Sequence, residues 1–213
     1  MCNLYSETKG QKSIRDLVRA TRDTTGSLVS LPGIYPDSLA PVVFTAHDDE
    51  RELTMMRWGM PGFQGGAPLI NIRNTASSYW RQWLAPAHRC LVPATSFCER
   101  QDVKPRKTPV WFALDETRPL FFFAGVWTNW HGTRGTQANP IHGWHRLYGI
   151  LMTEANSIVG PIHPKAMPVV LTKPVELETW LSAPWQIARE LQRPAPDDLL
   201  CIVARGNRID GRL

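Results

Sequence analysis

Short apolar runs separated by prolines and glycines fill the middle of the chain. They include RCLVPATSFCE, TPVWFAL, LFFFAGVW and YGILMTEA, and the earlier segments PVVFTA and ELTMMRWGM have the same character. Apolar runs of strand length that are bounded by turn residues predict β-strands. We therefore expect strands to dominate the middle of the fold.

Helical spacing of apolar residues is confined to short segments. Ile14, Leu17 and Val18 follow Ser13 at helical spacing, and Ser13 is a residue type that caps helices. Further short helices are predicted over 77–85, 176–181 and 185–191. This arrangement predicts an α+β fold in which a twisted, barrel-like, mainly antiparallel β sheet carries peripheral helices.

The chain shows no internal repeat and no long linker, and 213 residues are enough to bury one sizeable core. We expect a single domain over residues 1–213. The segment 129–144 is rich in Gly, Asn and His and has no apolar period, which predicts an exposed loop or the tip of a long hairpin. A last strand is expected at LLCIVA.

Composition and charge narrow the class of protein. Hydrophobic residues make up 43% of the chain and charged residues 20%, which is ordinary globular composition. No apolar run approaches the ~20 residues of a membrane-spanning helix, and the start of the chain lacks a signal core, so a cytoplasmic protein is expected. The net charge of +5 suits a polyanionic partner without requiring one.

The cysteines and histidines do not predict a metal site. Four cysteines are present: Cys2, Cys90, Cys98 and Cys201. None of their spacings is that of a metal motif, and in a reducing compartment they are expected to remain thiols. Three histidines lie in or directly beside the predicted loop: His131, His142 and His145. No fourth ligand is evident, so neither a metal nor another cofactor is expected.

Cys2 is a candidate nucleophile. Removal of Met1 is favoured when the next side chain is small, and Cys2 would then carry an α-amine of pKa ~7.7–8 beside a thiol of pKa ~8.5. Such a 1,2-aminothiol attacks an aldehyde through nitrogen to give a Schiff base, and closure through sulfur gives a thiazolidine. The alternative is that Cys2 is an ordinary residue near a frayed terminus.

Asn71 and Arg73 lie two residues apart in INIRNTAS, so both side chains would share one face of an extended segment. Asn71 could hydrogen-bond a sugar hydroxyl or a carbonyl oxygen, and the planar guanidinium of Arg73 could pair with phosphate. A turn asparagine beside a solvated arginine is the alternative interpretation.

Glu99 and His163 are candidate acid/base groups. Glu99 ends an apolar run, and a carboxyl at the edge of an apolar sheet tends towards a raised pKa. His163 lies in a loop bounded by Gly and Pro that leads into a β-branched strand. A solvent-exposed strand-end carboxyl and a loop histidine without a role remain open as alternatives.

An ordered set of short motifs extends from Cys2 to Leu171: MC at the start, N-x-R, RCLVPA followed by Glu99, AGVW, LMTEAN, and IH followed by MP. Together they resemble the SOS-response-associated peptidase family, SRAP. The resemblance implies an α+β domain with a barrel-like sheet and a basic groove for single-stranded DNA. It also implies covalent crosslinking to abasic sites through a thiazolidine, which shields the lesion.

The resemblance assigns roles to individual positions. Cys2 matches the nucleophile, Asn71 the site asparagine, Glu99 the acid/base carboxylate and His163 the site histidine. The DNA-contacting positions that it implies are Arg73, Trp58, Gly59 and Met60. The partner implied is single-stranded DNA that contains abasic sites, bound by a monomer that is nucleoid-associated when on DNA.

Some positions depart from the family pattern. The start reads MCNLY where many members have Gly and Arg after the cysteine, and PKA separates His163 from the following MP. Abasic-site lyase and autoproteolytic character accompany the leading hypothesis. A thiol peptidase with an N-terminal nucleophile and a noncovalent single-stranded DNA binder that uses aromatics such as Trp58 are the alternatives.

Overall fold

A computed structural model of the protein describes residues 2–101 and 107–210. The strands are β1 (Tyr5–Glu7), β2 (Arg22–Asp23), β3 (Leu31–Ile34), β4 (Leu39–Thr45), β5 (Arg51–Trp58), β6 (Asn71–Ile72), β7 (Arg89–Ala94), β8 (Ser96–Gln101), β9 (Thr108–Ala113), β10 (Phe121–Gly135), β11 (Pro140–Thr153), β12 (Met167–Pro168), β13 (Val170–Leu171) and β14 (Cys201–Arg205). The α-helices are α1 (Gln11–Val18), α2 (Pro174–Ser182) and α3 (Trp185–Ala188).

Five strands close into a barrel in the order β11-β10-β7-β4-β5. Four of the five pairings are antiparallel, and the parallel pairing of β5 with β11 closes the ring, with Arg57 opposite Leu147 and Trp58 opposite Tyr148. Closure removes the exposed edges that an open sheet would leave. The expected α+β fold with a barrel-like, mainly antiparallel sheet is confirmed.

A second sheet, in the order β14-β9-β8-β1-β3, is antiparallel throughout and packs against the barrel. The shared core contains Tyr5 from β1 together with Trp58 and Tyr148 from the barrel. The hydroxyl oxygens of Tyr5 and Tyr148 are 2.6 Å apart, and Trp58 stacks on Tyr148 at a ring-centroid distance of 6.3 Å. These contacts fix the position of β1 relative to the barrel.

The outer face of the barrel is covered by helices. Alternate residues of the barrel strands point outwards and pack against α1 and α2. Trp180 of α2 is fully buried, and its indole nitrogen donates hydrogen bonds to Cys90 O at 2.9 Å and Gly125 O at 3.2 Å. The helices therefore stabilise the barrel from outside.

The segment 129–144 is part of a long hairpin formed by β10 and β11, the second of the two structures expected for it. Gly132 lies opposite Gly143 in the hairpin, and the Trp130 ring folds so close that a Cβ at position 132 would lie 2.1 Å from it. Near the tip, Arg134 Nη2 donates to Gly59 O at 2.9 Å. This hydrogen bond ties the hairpin to the segment that follows β5.

Most of the predicted elements are found, but the helix predicted over 77–85 is not. Residues 77–85 form turns and a short 3₁₀ helix, Arg81–Trp83, instead of an α-helix. The rings of Tyr79, Trp80 and Trp83 pack on one another with centroid distances of 5.0–5.6 Å. This packing of aromatic rings holds the segment in a tighter turn than helical periodicity predicts. Tertiary packing thus overrides the local preference for an α-helix.

Replacing Trp58 with Ala should destabilise the protein by about 3–5 kcal/mol, because Trp58 is fully buried at the barrel closure and its loss leaves a large cavity. The free energy of unfolding from urea titration measures the effect. Phe63→Ala is the matched control, since Phe63 is 61% exposed, and it should cost less than about 1 kcal/mol. Equal losses in both variants would contradict the described packing.

Candidate active site

Cys2 lies inside the protein, between the second sheet and the barrel. It is fully buried, its Sγ donates to Leu4 O at 3.6 Å, and its carbonyl oxygen accepts a hydrogen bond from Asn71 Nδ2 at 2.7 Å. Burial raises the pKa of the Cys2 thiol well above its ordinary value, and the nearby Glu99 carboxylate raises it further. The thiol is therefore protonated at neutral pH in this arrangement.

Asn71 is held by the barrel. It lies on β6, which pairs in parallel with β11 so that Asn71 is opposite Ile150. Its amide nitrogen binds Cys2, whereas its Oδ1 is buried without a hydrogen-bond partner among the described residues. A buried hydrogen-bond acceptor without a partner is uncommon in proteins, and it marks a place where a further group can bind.

Glu99 comes from β8 of the second sheet and is 2% exposed. Burial raises the pKa of its carboxyl to about 7. Its Oε2 lies 4.0 Å from Nδ1 of the half-buried His163. The structure thus brings a carboxyl that titrates near neutral pH next to a histidine and close to Cys2.

The loop that carries His163 is fixed at both of its ends. The His163 amide donates to Val159 O at 2.8 Å, and β12, four residues further on, pairs with the end of β11. The three residues PKA, which separate His163 from the following Met-Pro pair, fit within this loop. Cys2, Asn71, Glu99 and His163 therefore lie together as the sequence analysis anticipated, although their chemical roles stay predictions.

A cavity of about 420 Å³ opens beside Glu99 and His163. Three basic residues that the sequence analysis did not select also line it: Arg100, Lys107 and Lys165. Arg73 is exposed, and its Nη1 donates to Lys165 O, which places its guanidinium at the same rim. Only proximity along the chain to Glu99 and His163 could have indicated Arg100 and Lys165.

The expected DNA contacts at Trp58, Gly59 and Met60 fall in an interior segment. The side chains of Trp58 and Met60 are fully buried, and Trp58 Nε1 donates to Ile70 O at 3.1 Å. Gly59 uses its amide to bind Tyr148 O at 2.7 Å. This burial leaves the Trp58 ring no exposed face for a base, and contact of this segment with DNA stays a prediction. Phe63, an exposed aromatic five residues further along the chain, was missed by the sequence analysis.

The remaining cysteines and histidines are distributed over the fold. Cys90 and Cys98 are buried, whereas Cys201 is partly exposed. Across residues 2–101 and 107–210, no three His, Cys, Asp or Glu side chains are grouped so that they could hold a metal ion. Within the same ranges, no helix has the length and apolarity needed to cross a membrane. Met1 lies outside the described residues.

Comparison with solved structures shows the fold. A crystal structure of a protein from Bordetella bronchiseptica matches with a TM-score of 0.75 and 24% identity, and covers 94% of this chain and 98% of the other. A crystal structure of a protein from Bacteroides thetaiotaomicron matches with a TM-score of 0.73 and 19% identity, over 94% and 90% of the two chains. The architecture is therefore shared with these two proteins.

Comparison with characterised sequences adds a relative. The abasic site processing protein YoqW, known from Bacillus subtilis and from Bacillus phage SPbeta, is 33% identical over 138 residues. The match covers 61% of this chain and 57% of the length of that protein. The sequence model of the SOS response associated peptidase family matches residues 1–205. The chain belongs to the SOS response associated peptidase (SRAP) family.

Proposed function

We propose that the protein processes abasic sites in single-stranded DNA, and that Cys2, exposed as the N-terminal residue when Met1 is removed, crosslinks to the lesion as a thiazolidine. Family membership and the name of the YoqW relative support the abasic-site role. The observation that carries the chemistry is the placement of the Cys2 main chain, held by Asn71, beside a buried carboxyl of pKa about 7. The crosslink shields the lesion.

Burial of the thiol sets the order of the steps. The Cys2 thiol is protonated, whereas a terminal α-amine of ordinary pKa ~7.7–8 is partly neutral at pH 7. The amine therefore attacks the ring-opened sugar aldehyde first, and loss of one water from the carbinolamine gives the imine. The thiol then adds to the imine carbon, its proton passes to the nitrogen, and the thiazolidine is complete.

Glu99 is suited to move the protons in these steps. A carboxyl with a pKa of about 7 is present in both its acid and its base form at neutral pH, which is the condition for efficient general acid/base catalysis. The acid form protonates the departing hydroxyl of the carbinolamine, and the base form accepts the proton of the thiol. His163, 4.0 Å away, relays protons between Glu99 and the cavity.

Asn71 positions the reacting residue. Its hydrogen bond to the Cys2 carbonyl fixes the main chain that carries the amine, which reduces the orientational freedom lost in the reaction. Its buried Oδ1 is an acceptor for the hydroxyl of the ring-opened sugar or of the carbinolamine.

Basic side chains at the rim of the cavity attract the DNA strand electrostatically. Arg100, Lys107 and Lys165 line the opening, and Arg73 lies beside Lys165, so phosphates on both sides of an abasic nucleotide can be neutralised. The exposed ring of Phe63 is available for stacking on a base. These contacts also account for the alternative of purely noncovalent binding.

Two further activities rest on the same groups. An imine at an abasic sugar makes strand scission by elimination possible, which gives lyase character. The carboxyl of Glu99 close to Cys2 is also placed to assist hydrolysis of the bond between Met1 and Cys2, which is the autoproteolytic form of the peptidase alternative. Monomeric state and association with the nucleoid stay predictions.

Cys2→Ala should abolish the denaturant-stable adduct with an abasic oligonucleotide, because no thiol closes the ring. Its terminal amine remains, so borohydride should still trap an imine. Denaturing gels and intact mass spectrometry, with and without borohydride, measure both products. Cys98→Ala, which removes another buried thiol, is the control and should crosslink normally. Full adduct yield from Cys2→Ala without reduction would refute the thiazolidine.

Glu99→Gln should slow crosslinking about 10²–10⁴-fold at saturating protein, because the amide cannot exchange protons. Because both the acid and the base form of Glu99 take part, the pH–rate profile of the wild type should change slope near pH 7, and the variant should lose this feature. Glu7→Gln is the matched control, since burial raises the pKa of Glu7 to about 7 as well. A wild-type rate for Glu99→Gln would exclude the acid/base role.

The same two variants test the cost of burying the carboxylates. Each of the two carboxyls has a pKa of about 7 in the folded protein, above the ordinary value of 4.5. Between pH 4.5 and pH 7 the folded state therefore binds more protons than the unfolded state. Stability is consequently lost as the pH rises from 4.5 through 7. Each Gln variant should therefore be stabilised relative to wild type above pH 7, by roughly 1–3 kcal/mol. Urea unfolding at pH 5 and pH 8 measures the difference.

Arg73→Ala should weaken binding to undamaged and abasic single strands alike, because a phosphate contact positions a strand without reading its bases. The slope of log affinity against log salt should fall by about 0.7 for the lost contact. Fluorescence anisotropy at several salt concentrations provides the slope. The exposed Arg189, paired with its neighbour Glu190, is the control site, and its Ala variant should leave the slope unchanged.

A further inference from the structure

A second cavity lies apart from the one beside Glu99, between the loop that follows β5 and the tip of the β10–β11 hairpin. Its volume is about 410 Å³, within the range of small-ligand sites. Apolar walls come from Pro61, Pro68 and Trp130. Polar groups enter from Asp37 and Arg134. The cavity thus combines a few polar groups with apolar walls, as binding sites for organic groups do.

The walls of this cavity are fixed by the fold. At Gly62 an added Cβ would lie 2.0 Å from Gly66 O, so the loop closes tightly on itself and offers bare main chain to the cavity. On the opposite side Arg134 is 8% exposed, lies 4.6 Å from the centroid of the Trp130 ring, and donates to Gly59 O. The cavity is therefore preformed.

The charges indicate which chemistry fits. Asp37 Oδ2 accepts the Gly135 amide at 2.9 Å, and Arg134 supplies the opposite charge, so the ionised groups that line the cavity sum to zero. Arg57, 3.5 Å from Asp37, adds only one positive charge behind this wall. A phosphate would have to approach the Asp37 carboxylate, whereas a neutral planar group with donors and acceptors matches both residues.

The cavity is also close to the reactive site. Pro68, in its wall, precedes Asn71 by three residues, so their Cα atoms are at most about 10 Å apart. Asn71 in turn holds Cys2. A group in the cavity and a sugar at Cys2 can therefore belong to the same short stretch of strand.

We propose that the cavity receives a nucleobase of the bound strand, from a nucleotide that flanks the abasic site. This proposal rests on the proposed function. Asp37 accepts a hydrogen bond from an N–H of the base, Arg134 donates to a ring nitrogen or carbonyl oxygen, and the base lies between the glycine loop and Trp130. The base fixes which nucleotide is offered to Cys2.

Spacer scanning tests the contact. In a series of single-stranded oligonucleotides, each nucleotide near a central reduced abasic analogue is replaced in turn by a baseless spacer, which keeps the phosphate. Affinity is measured by anisotropy with Cys2→Ala, so no covalent step contributes. We expect a loss of about tenfold at one flanking position and little elsewhere, the scale of one base contact.

Asp37→Asn and Arg134→Lys should each remove this position-specific loss, because each disrupts one of the polar contacts. All of these changes are made in the Cys2→Ala protein. Arg146→Lys is the matched control: Arg146 lies on the same hairpin but binds Glu52 at 2.9 Å, and its variant should scan like Cys2→Ala alone. Thermal unfolding checks that each variant is folded. Asp37→Asn keeps an acceptor for the Gly135 amide, so it tests the contact even if Arg134→Lys loosens the hairpin.

Other outcomes would overturn the inference. A uniform scan, or a loss at one position that persists in both variants, would show that the cavity holds no base. A phosphate site would be identified instead if the spacer scan is flat and if uncharged methylphosphonate linkages weaken strand binding by the unsubstituted protein but not by the two variants. Crosslinking by the wild type is measured separately, so failure of the abasic-site function and failure of the base contact give different results.

Discussion

Strand β11 is the element on which the rest of the structure depends, because it hydrogen-bonds to four other strands. Its parallel pairing with β5 closes the barrel, and its pairing with β6 fixes the position of Asn71 along the strand. The end of β11 pairs with β12 and so anchors the loop of His163, while its beginning forms the long hairpin with β10. Because register in a sheet is fixed along the whole strand, one strand aligns the barrel, half of the candidate site and the wall of the second cavity.

The other half of the candidate site comes from the second sheet, which supplies Glu99 and the segment that carries Cys2. These two groups lie where that sheet packs on the barrel, so their burial follows from the packing of the two sheets. The same burial raises the pKa values of both, since a charged form loses hydration there. A carboxyl poised near neutrality is thus obtained at the expense of stability above pH 7, a trade typical of functional sites.

The sequence was sufficient for the fold class and most strands, because apolar runs of strand length report burial directly. The set of candidate groups came from the resemblance of an ordered set of motifs to a known family. It was not sufficient where packing between distant segments decides. The aromatic cluster of Tyr79, Trp80 and Trp83 replaces a predicted helix. The barrel closure buries Trp58, which the sequence analysis offered as a stacking residue. Arg100, Lys107 and Lys165 line one cavity only because two segments that are distant in sequence meet in the folded protein. No local pattern encodes such a meeting.

In the proposed crosslinking reaction, the position of Cys2 also constrains how a strand must approach. Its carbonyl is bound by Asn71 and its thiol is directed at Leu4 O, so the main chain is fixed before any substrate arrives. A fixed main chain lowers the entropic cost of bringing amine and aldehyde together, but it demands that the sugar be delivered in one place. Phosphate contacts from exposed Arg and Lys side chains are poorly suited to that task, since they tolerate sliding along the strand. The second cavity, whose wall residue Pro68 lies within about 10 Å of Asn71, is proposed to provide the missing register, because a base that enters it cannot slide.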